Sequence, residues 1–564
     1  MGLAPSRHRE DRRALAVEPL PEGIEHGLAE PAAHPDDPSA SAGVETLQTH
    51  ISFVFLTAER VYKLRKPVDL GFLDFASREA RNRDCLREVA LNRRLAPDVY
   101  LGVAPVLAEA GRFRLGPPGE ALAAPGAGAP APEHCVVMRR LAAGADALSR
   151  LQRGELDAGH LDAVAERVAR FHAEHGLGAP APFEPAAWLE RISGPVADNF
   201  AAFDGPAGAC ADPAVLERAR RAARLFEDKE AWRFERRREQ GRAVDGHGDL
   251  HLQHVWFEGD SREPLLIDCI EFSERLRRID AASDVAFLAM DLVYRDQALL
   301  AERFLRRYAR ASDDFDLYHV VDYYVAYRAG VRAKVAALAA EEAEIPAAQR
   351  RAAAESARRH LALAARALER ERRGGLVLVC GIVGTGKSSV AELAADALPG
   401  VVISSDRVRK RLAGLAPAER AGGAWGRGLY TAERTQQVYA ALLERAEPVV
   451  ASGRAAILDA TFARTGFRDQ ARRWAEARGA PVVLVEVRCE RGLVLERLAR
   501  RAREGRDPSD AGPELYERSA AAFEPTDAWP AARRCALRSD APGWREAAAA
   551  ELRALWSRAR GPQP

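Results

Sequence analysis

Gly381-Ile382-Val383-Gly384-Thr385-Gly386-Lys387-Ser388 reads G-x-x-x-x-G-K-S. The apolar run Leu376-Val377-Leu378-Val379-Cys380 precedes it. Ser389 to Leu398 follows, with Val390, Leu393, Ala394 and Leu398 at helical spacing. Strand, glycine loop and helix, in that order, is the context in which this pattern forms a P-loop. Glycines let backbone N–H groups close around phosphate oxygens, and the helix N-terminus adds a favourable dipole. The stretch therefore predicts a nucleoside-triphosphate site. Gly381, Gly384, Thr385, Gly386 and Ser389 would form the cradle, Lys387 would reach the β- and γ-phosphates, and the Ser388 hydroxyl would hold Mg²⁺.

Downstream, Val401-Val402-Ile403-Ser404 reads as a strand running into Ser405-Asp406, and Ala455-Ala456-Ile457-Leu458-Asp459 as another ending in an acid. Pro481–Val487 and Cys535–Leu537 complete five strands with helices between them, the pattern of a mostly parallel, doubly wound α/β sheet. In such sheets functional groups collect at the strand C-terminal ends, so Asp406 and Asp459 are expected in the crevice of Lys387. One would deprotonate an acceptor hydroxyl and the other order the Mg²⁺ shell. The cluster Arg497, Arg500, Arg501, Arg503 and Arg506, followed by Asp507-Pro508-Ser509-Asp510, could close over phosphates. Most of these arginines are expected on a solvated face, with one or two in the site.

Upstream the pattern differs. Ile51–Leu56 and Arg60–Leu64 read as two strands joined by a Thr-Ala-Glu turn, and residues 77–95 as a helix. Strands are expected near Tyr100–Leu107 and His134–Met138, with a Pro/Ala/Gly-rich loop at Gly116–Pro132 between them. Helical patterns then dominate to about Arg372, and Gly374-Gly375 marks the boundary. They are interrupted by His247-Gly248-Asp249-Leu250-His251-Leu252-Gln253-His254, which leads into two short apolar runs, Val255–Phe257 and Leu265–Ile267. Pairing those runs as a hairpin carries Asp268 back toward Asp249 and His254, a grouping suited to a general base beside a metal. His251 is expected either as packing or as a support behind the reacting groups, and Asp284 as a support for this loop.

A chain of 564 residues exceeds one core, so two or three domains are expected: a mobile tail at 1–43, one domain at 44–372 and the P-loop domain at 373–564. The net charge of +1 argues against a long nucleic-acid partner or a membrane surface. Seven scattered cysteines without a C-x-x-C pair suggest reduced thiols, and no apolar leader or span is seen, so a cytoplasmic location is expected. Positive charge is carried almost wholly by arginine. The six lysines, Lys63 and Lys387 among them, therefore stand out as sites wanting a compact point charge.

With these residues in view, about 45–365 resembles the aminoglycoside phosphotransferase family, a branch of the protein-kinase-like α+β fold. The resemblance rests on the His247–His254 loop, read against H-x-D-x-x-x-x-N, and on Asp268 after a hairpin. It implies Asp249 as the base, Asp268 on the metal, Lys63 on the α/β-phosphates with Glu88 as its ion-pair partner, and Val136–Arg140 as the adenine-side linker. This sequence departs from the family at the Asn position, where it has His254, and no glycine-rich nucleotide loop precedes Lys63. A nitrogen ligand there implies that Mn²⁺ could serve beside Mg²⁺. Residues 374–545 resemble small P-loop kinases such as gluconate kinase and zeta toxin, through Ser405-Asp406-Arg407, Asp459-Ala460-Thr461 and Arg468. The order of the two halves resembles a bacterial group of predicted bifunctional kinases. The expectation is an ATP-dependent phosphotransferase acting on a hydroxyl of a small molecule. The alternative is a regulatory or toxin-like P-loop NTPase or kinase with a non-catalytic N-terminal half.

Overall fold

The computed structural model describes residues 17–69, 73–109, 111–124, 131–369, 373–416, 419, 428–504 and 513–561. They fold as two compact units. The first draws on the described residues of Met1–Arg167, Phe171–Pro182 and Gly241–Asp284, and the second on those of Val168–Arg170, Phe183–Gln240 and Val285–Pro564.

In the first unit, β1 (Glu45–Gln48), β2 (Ser52–Leu56), β3 (Arg60–Arg65), β4 (Tyr100–Glu109), β5 (Arg112–Leu115) and β6 (Glu133–Arg139) form one antiparallel sheet, ordered β1-β2-β3-β6-β4-β5. Side chains alternate between its faces. Tyr62, Leu64, Cys135 and Val137 pack on one face with Ile24 and Leu28. Val136 packs on the other with Cys85 and Val89 of the helix Arg78–Asn92, and Lys63 pairs with Val136 across the strands. Lys63 thus faces the helix that carries Glu88. That helix starts at Ser77, whose side chain accepts the Ala80 N–H.

The short strands β7 (Ala243–Asp245) and β10 (Arg278–Asp280) pair antiparallel, as do β8 (Val255–Phe257) and β9 (Pro264–Leu266). The latter is the expected hairpin, with Val255 opposite Leu266.

Residues 17–43 are not a loose tail. Ile24, Leu28 and Ala33 are buried, and Asp37 accepts hydrogen bonds from the Thr57 and Tyr62 hydroxyls at 2.7 and 3.0 Å. Two apolar residues four apart on one short helix, with Leu20, Ala33 and Val44 beside them, pack on the sheet face, a signal masked by the surrounding Pro and Ala.

In the second unit, β11 (Gly375–Cys380), β12 (Gly400–Ser404), β13 (Ala455–Asp459), β14 (Val482–Arg488) and β15 (Arg534–Arg538) form a fully parallel sheet, ordered β12-β13-β11-β14-β15. All five expected strands are present. One face packs the helices Lys387–Ala397 and Trp544–Arg560 through Val390, Ala394, Leu552 and Leu555.

The helices that follow residue 285 belong to this same compact unit, which divides the chain differently from the 372/373 boundary read from sequence. The reason is a set of ion pairs. The Arg454 side chain, buried just before β13, binds Glu302 and Asp322 with four hydrogen bonds of 2.7–3.1 Å. Gly374 and Gly375 serve close packing instead of flexibility. A Cβ at Gly374 would lie 2.3 Å from the Val450 carbonyl oxygen, and one at Gly375 would lie 2.3 Å from that of Pro481. No helix among the described residues is long and apolar enough to cross a membrane.

Candidate active sites

The P-loop joins β11 to the helix Lys387–Ala397. Gly381, Gly384 and Gly386 have φ of 144°, 79° and 88°, a region that side-chain-bearing residues rarely adopt. Space is also limiting, because a Cβ at Gly381 would lie 2.5 Å from the Val487 carbonyl oxygen. Gly386 caps the helix in this left-handed conformation, so the first helical N–H groups open onto the loop.

Lys387 Nζ donates to the Ile382 carbonyl at 2.9 Å, curled over its own loop. Ser388 Oγ donates to Asp459 Oδ2 at 2.8 Å, and Ser389 is exposed on the same first turn. Asp459 ends β13. Asp406 lies in the first turn of the helix Ser405–Leu412, which leaves the neighbouring strand β12. Burial lowers the pKa of Lys387, against the pull of Asp459 and Asp406. Burial raises that of Asp459, against Lys387 and the Ser388 hydrogen bond. The four groups therefore share one electrostatic site. Immediately after Asp459-Ala460-Thr461, Phe462 takes φ 43°, a strained value for a bulky residue, and Tyr439 Oη accepts its N–H at 2.9 Å.

Several groups around the loop carry no motif in the sequence. Ser539 Oγ donates to the Thr385 carbonyl at 2.7 Å and accepts from Arg497 at 2.9 Å, which ties Arg497 behind the P-loop. Ser519 Oγ accepts the Val383 N–H at 3.2 Å. Arg501 reaches Lys387 by charge and opposes its protonation. Arg506 to Asp510 lie outside the described residues. Arg468 is buried and ties Thr465 Oγ1 to the Glu524 and Pro525 carbonyls at 2.9–3.0 Å, a bracing position.

The first unit holds the second site. Lys63 Nζ pairs with Glu88 Oε1 at 3.0 Å and with Asp268 Oδ1 at 3.4 Å. Asp268 has φ 62°, a positive value Asp tolerates, and its N–H is accepted by Tyr100 Oη at 3.2 Å. The charge of Lys63 holds the Asp268 carboxyl well below the usual carboxylate range. Behind Lys63 the guanidinium of buried Arg65 meets Asp84 at 2.7 Å, Glu271 at 2.6 Å and Glu88, a knot without a sequence signal. Burial raises the Glu271 pKa; Arg65 opposes that rise and Glu88 adds to it.

Asp284 holds the loop before Asp249 in place. Its carboxylate accepts the N–H groups of His247 and Gly248 at 2.7 and 2.8 Å and meets His172 Nε2 at 3.0 Å, the supporting position expected for it. His251 takes the supporting role of the two expected for it. Its Nδ1 accepts the Gln253 N–H at 3.3 Å, so Nε2 carries the proton and points it at Asp249 Oδ2, 3.6 Å away. Burial would raise the Asp249 pKa, but His251 and the facing imidazoles bring it down to about 2.

His254 Nδ1 lies 2.8 Å from the Asp249 carbonyl, which can only accept. That bond places the proton on Nδ1 and turns the Nε2 lone pair toward Asp268 Oδ2 at 3.4 Å. Ligand atoms of Asp249, His251 and His254 lie within 4.8 Å of one another. The His251 tautomer makes His254 with Asp268 the pair better able to hold a cation.

Residues 60–324 match the model of the phosphotransferase enzyme family, and residues 376–526 match that of an AAA domain. The chain is 34% identical over 461 residues to an uncharacterized protein of Mycobacterium tuberculosis, covering 81% of this chain and 85% of the relative. An uncharacterized protein of Mycobacterium bovis matches to the same extent. Among solved structures, a gluconokinase from Sinorhizobium meliloti 1021 aligns at 22% identity over 32% of this chain and 95% of its own, with TM-score 0.23. A choline/ethanolamine kinase family protein from Mesorhizobium loti aligns at 15% identity over 60% and 98%, with TM-score 0.30.

Proposed function

This chain belongs to the family of those mycobacterial proteins; in it a phosphotransferase-family region precedes an AAA-domain P-loop region, and from that premise we propose that it is an ATP-dependent kinase with two nucleotide sites. Its P-loop site would transfer the γ-phosphoryl group to a hydroxyl of a small molecule. The observation that carries this reading is the Ser388–Asp459 hydrogen bond beside Lys387, with Asp406 in the same field.

These residues fit a magnesium nucleotide. Ser388 and Asp459 offer oxygen donors suited to a hard cation, and the left-handed Gly381, Gly384 and Gly386 give the loop the backbone shape a phosphate cradle requires. Bound there, Mg²⁺-ATP supplies the phosphoryl group and neutralises its charge. Lys387 would exchange its bond to Ile382 for phosphate oxygens. Asp406 would take the acceptor proton, while Asp459 orients Ser388. An acid pair favours transfer to an acceptor over hydrolysis, which needs only a positioned water.

In the other unit Lys63, fixed by Glu88, would hold the α/β-phosphates, and Asp249, aimed by His251, would serve as base. Asp268 and His254 would hold the metal, and the Nε2 donor favours Mn²⁺ over Mg²⁺. The test is a screen of ATP consumption against hydroxylated metabolites, sugars, nucleosides and aminoglycosides with the full-length chain. Lys387→Ala and Asp249→Asn separate the two sites. Lys387→Ala should abolish P-loop turnover in the Asp249→Asn background, and near-normal turnover there would sink the assignment.

A further inference from the structure

The helix Ala298–Ser312 lies inside the stretch that matches the phosphotransferase family, yet one of its faces is zipped to the P-loop helix. Arg303 and Arg306 pair with Asp396, and Arg306 also donates to the Ala395 carbonyl at 2.9 Å. Arg307 and Arg310 pair with Glu392. Three- and four-residue spacing puts these arginines on one face. On the facing helix Asp396, Glu392 and Ser388 also recur every four residues, so the same face runs down to the hydroxyl that binds Asp459.

Arg310 is the arginine at the Ser388 end, and its charge acts on Asp459. Its place is fixed from two further sides. Arg407, adjacent to Asp406, donates to the Arg310 carbonyl at 3.2 Å. Asp313, just past the helix end, accepts Arg445 Nε and Nη2 at 2.9 and 2.7 Å.

Resting on the P-loop reading above, we propose that Arg310 is a positioning residue of the P-loop site, supplied in cis by a helix outside the P-loop module. Asp406 and Asp459 crowd negative charge where a polyanionic nucleotide must dock, and Glu392 holds Arg310 one helical turn from Ser388. Arg310 offsets that charge and fixes the turn that presents Ser388 to Asp459. Turnover at the P-loop therefore depends on a segment that sequence comparison assigns to the other family.

The experiment uses the full-length chain in the Asp249→Asn background, with ATP turnover, fluorescent ATP-analogue binding and thermal melting measured side by side. Arg310→Ala should lower kcat by about 10–100-fold, the scale on which misplacement of a site costs rate, with the KM for ATP within about threefold. Arg310→Lys, which keeps the charge, should recover a large part of that loss. Arg306→Ala breaks the same zipper farther from Ser388 and should lower Tm while leaving kcat nearly unchanged. The proposal is overturned if Arg310→Ala keeps its kcat, or if Arg306→Ala loses as much kcat as Arg310→Ala. It also falls if Lys387→Ala keeps turnover, in which case the P-loop reading itself has failed. If Lys387→Ala is dead and Arg310→Ala is normal, only the role of Arg310 is lost.

Discussion

Replacing Arg454 by Met should loosen the whole second unit. Its guanidinium makes four charge-assisted hydrogen bonds to Glu302 and Asp322, with only 2% of the side chain exposed. Met fills similar space but leaves two largely buried carboxylates, 15% and 13% exposed, without the Arg454 cation. Breaking a buried pair from one side costs about 3–5 kcal/mol, since the stranded charge keeps its desolvation penalty. For a unit of this size that corresponds to a drop in Tm on the order of 5–10 °C.

The pH dependence has a definite sign. A carboxylate that loses its cation in a poorly solvated site is disfavoured in its charged form. The penalty is then small below about pH 4 and grows as pH increases toward neutrality. Differential scanning fluorimetry of wild type and variant at about pH 4.5 and 7.5 measures both effects. A further variant carrying Glu302→Met and Asp322→Leu with Arg454→Met should recover much of the loss. A variant Tm within about 1 °C of wild type at both pH values would refute the reasoning. The same network implies that residues 373–564 expressed alone would expose a stranded Arg454, so the P-loop site is best assayed in the whole chain.

Asp406→Asn should cut acceptor phosphorylation by about 10²–10⁴-fold while leaving ATP binding largely intact; equal loss of both would make Asp406 a metal-site residue and Asp459 the better base. His254→Asn should raise Mg²⁺-dependent nucleotide binding in the first unit and weaken the preference for Mn²⁺, read by titrating both metals in the Lys387→Ala background. Unchanged metal preference would show that the imidazole only orients Asp249 or Asp268. Asp284→Ala strands the N–H groups of His247 and Gly248, which should destabilise the first unit by about 2–5 kcal/mol, measurable by urea denaturation. Because the carboxyl of Asp284 is held below its ordinary range, that difference should be fully present above about pH 4 and fade as pH falls further.

The sequence by itself determined the parts whose chemistry is local. Gly381 to Ser388 between an apolar run and a periodic helix can do little except form a P-loop, because left-handed glycines and a helix N-terminus are set by neighbours in the chain. The hairpin after His254 and the five parallel strands followed from the same local periodicity. The pairing of Lys63 with Glu88 was implied by the family resemblance alone, and the structure shows it at 3.0 Å, with Lys63 on the sheet face opposite Tyr62 and Leu64.

Only the tertiary structure decided what depends on distant charges. Arg65 in its knot of carboxylates, Arg310 at the Ser388 end of the P-loop helix, Ser539 under Thr385 and the tautomer of His254 have no sequence spacing to announce them. Arginine is so frequent in this chain that none of its functional copies stands out, whereas each of six lysines does. Buried ion pairs join residues more than a hundred positions apart, and no local period encodes such a meeting. The helices after residue 285 therefore read as part of one half in sequence and fold as part of the other.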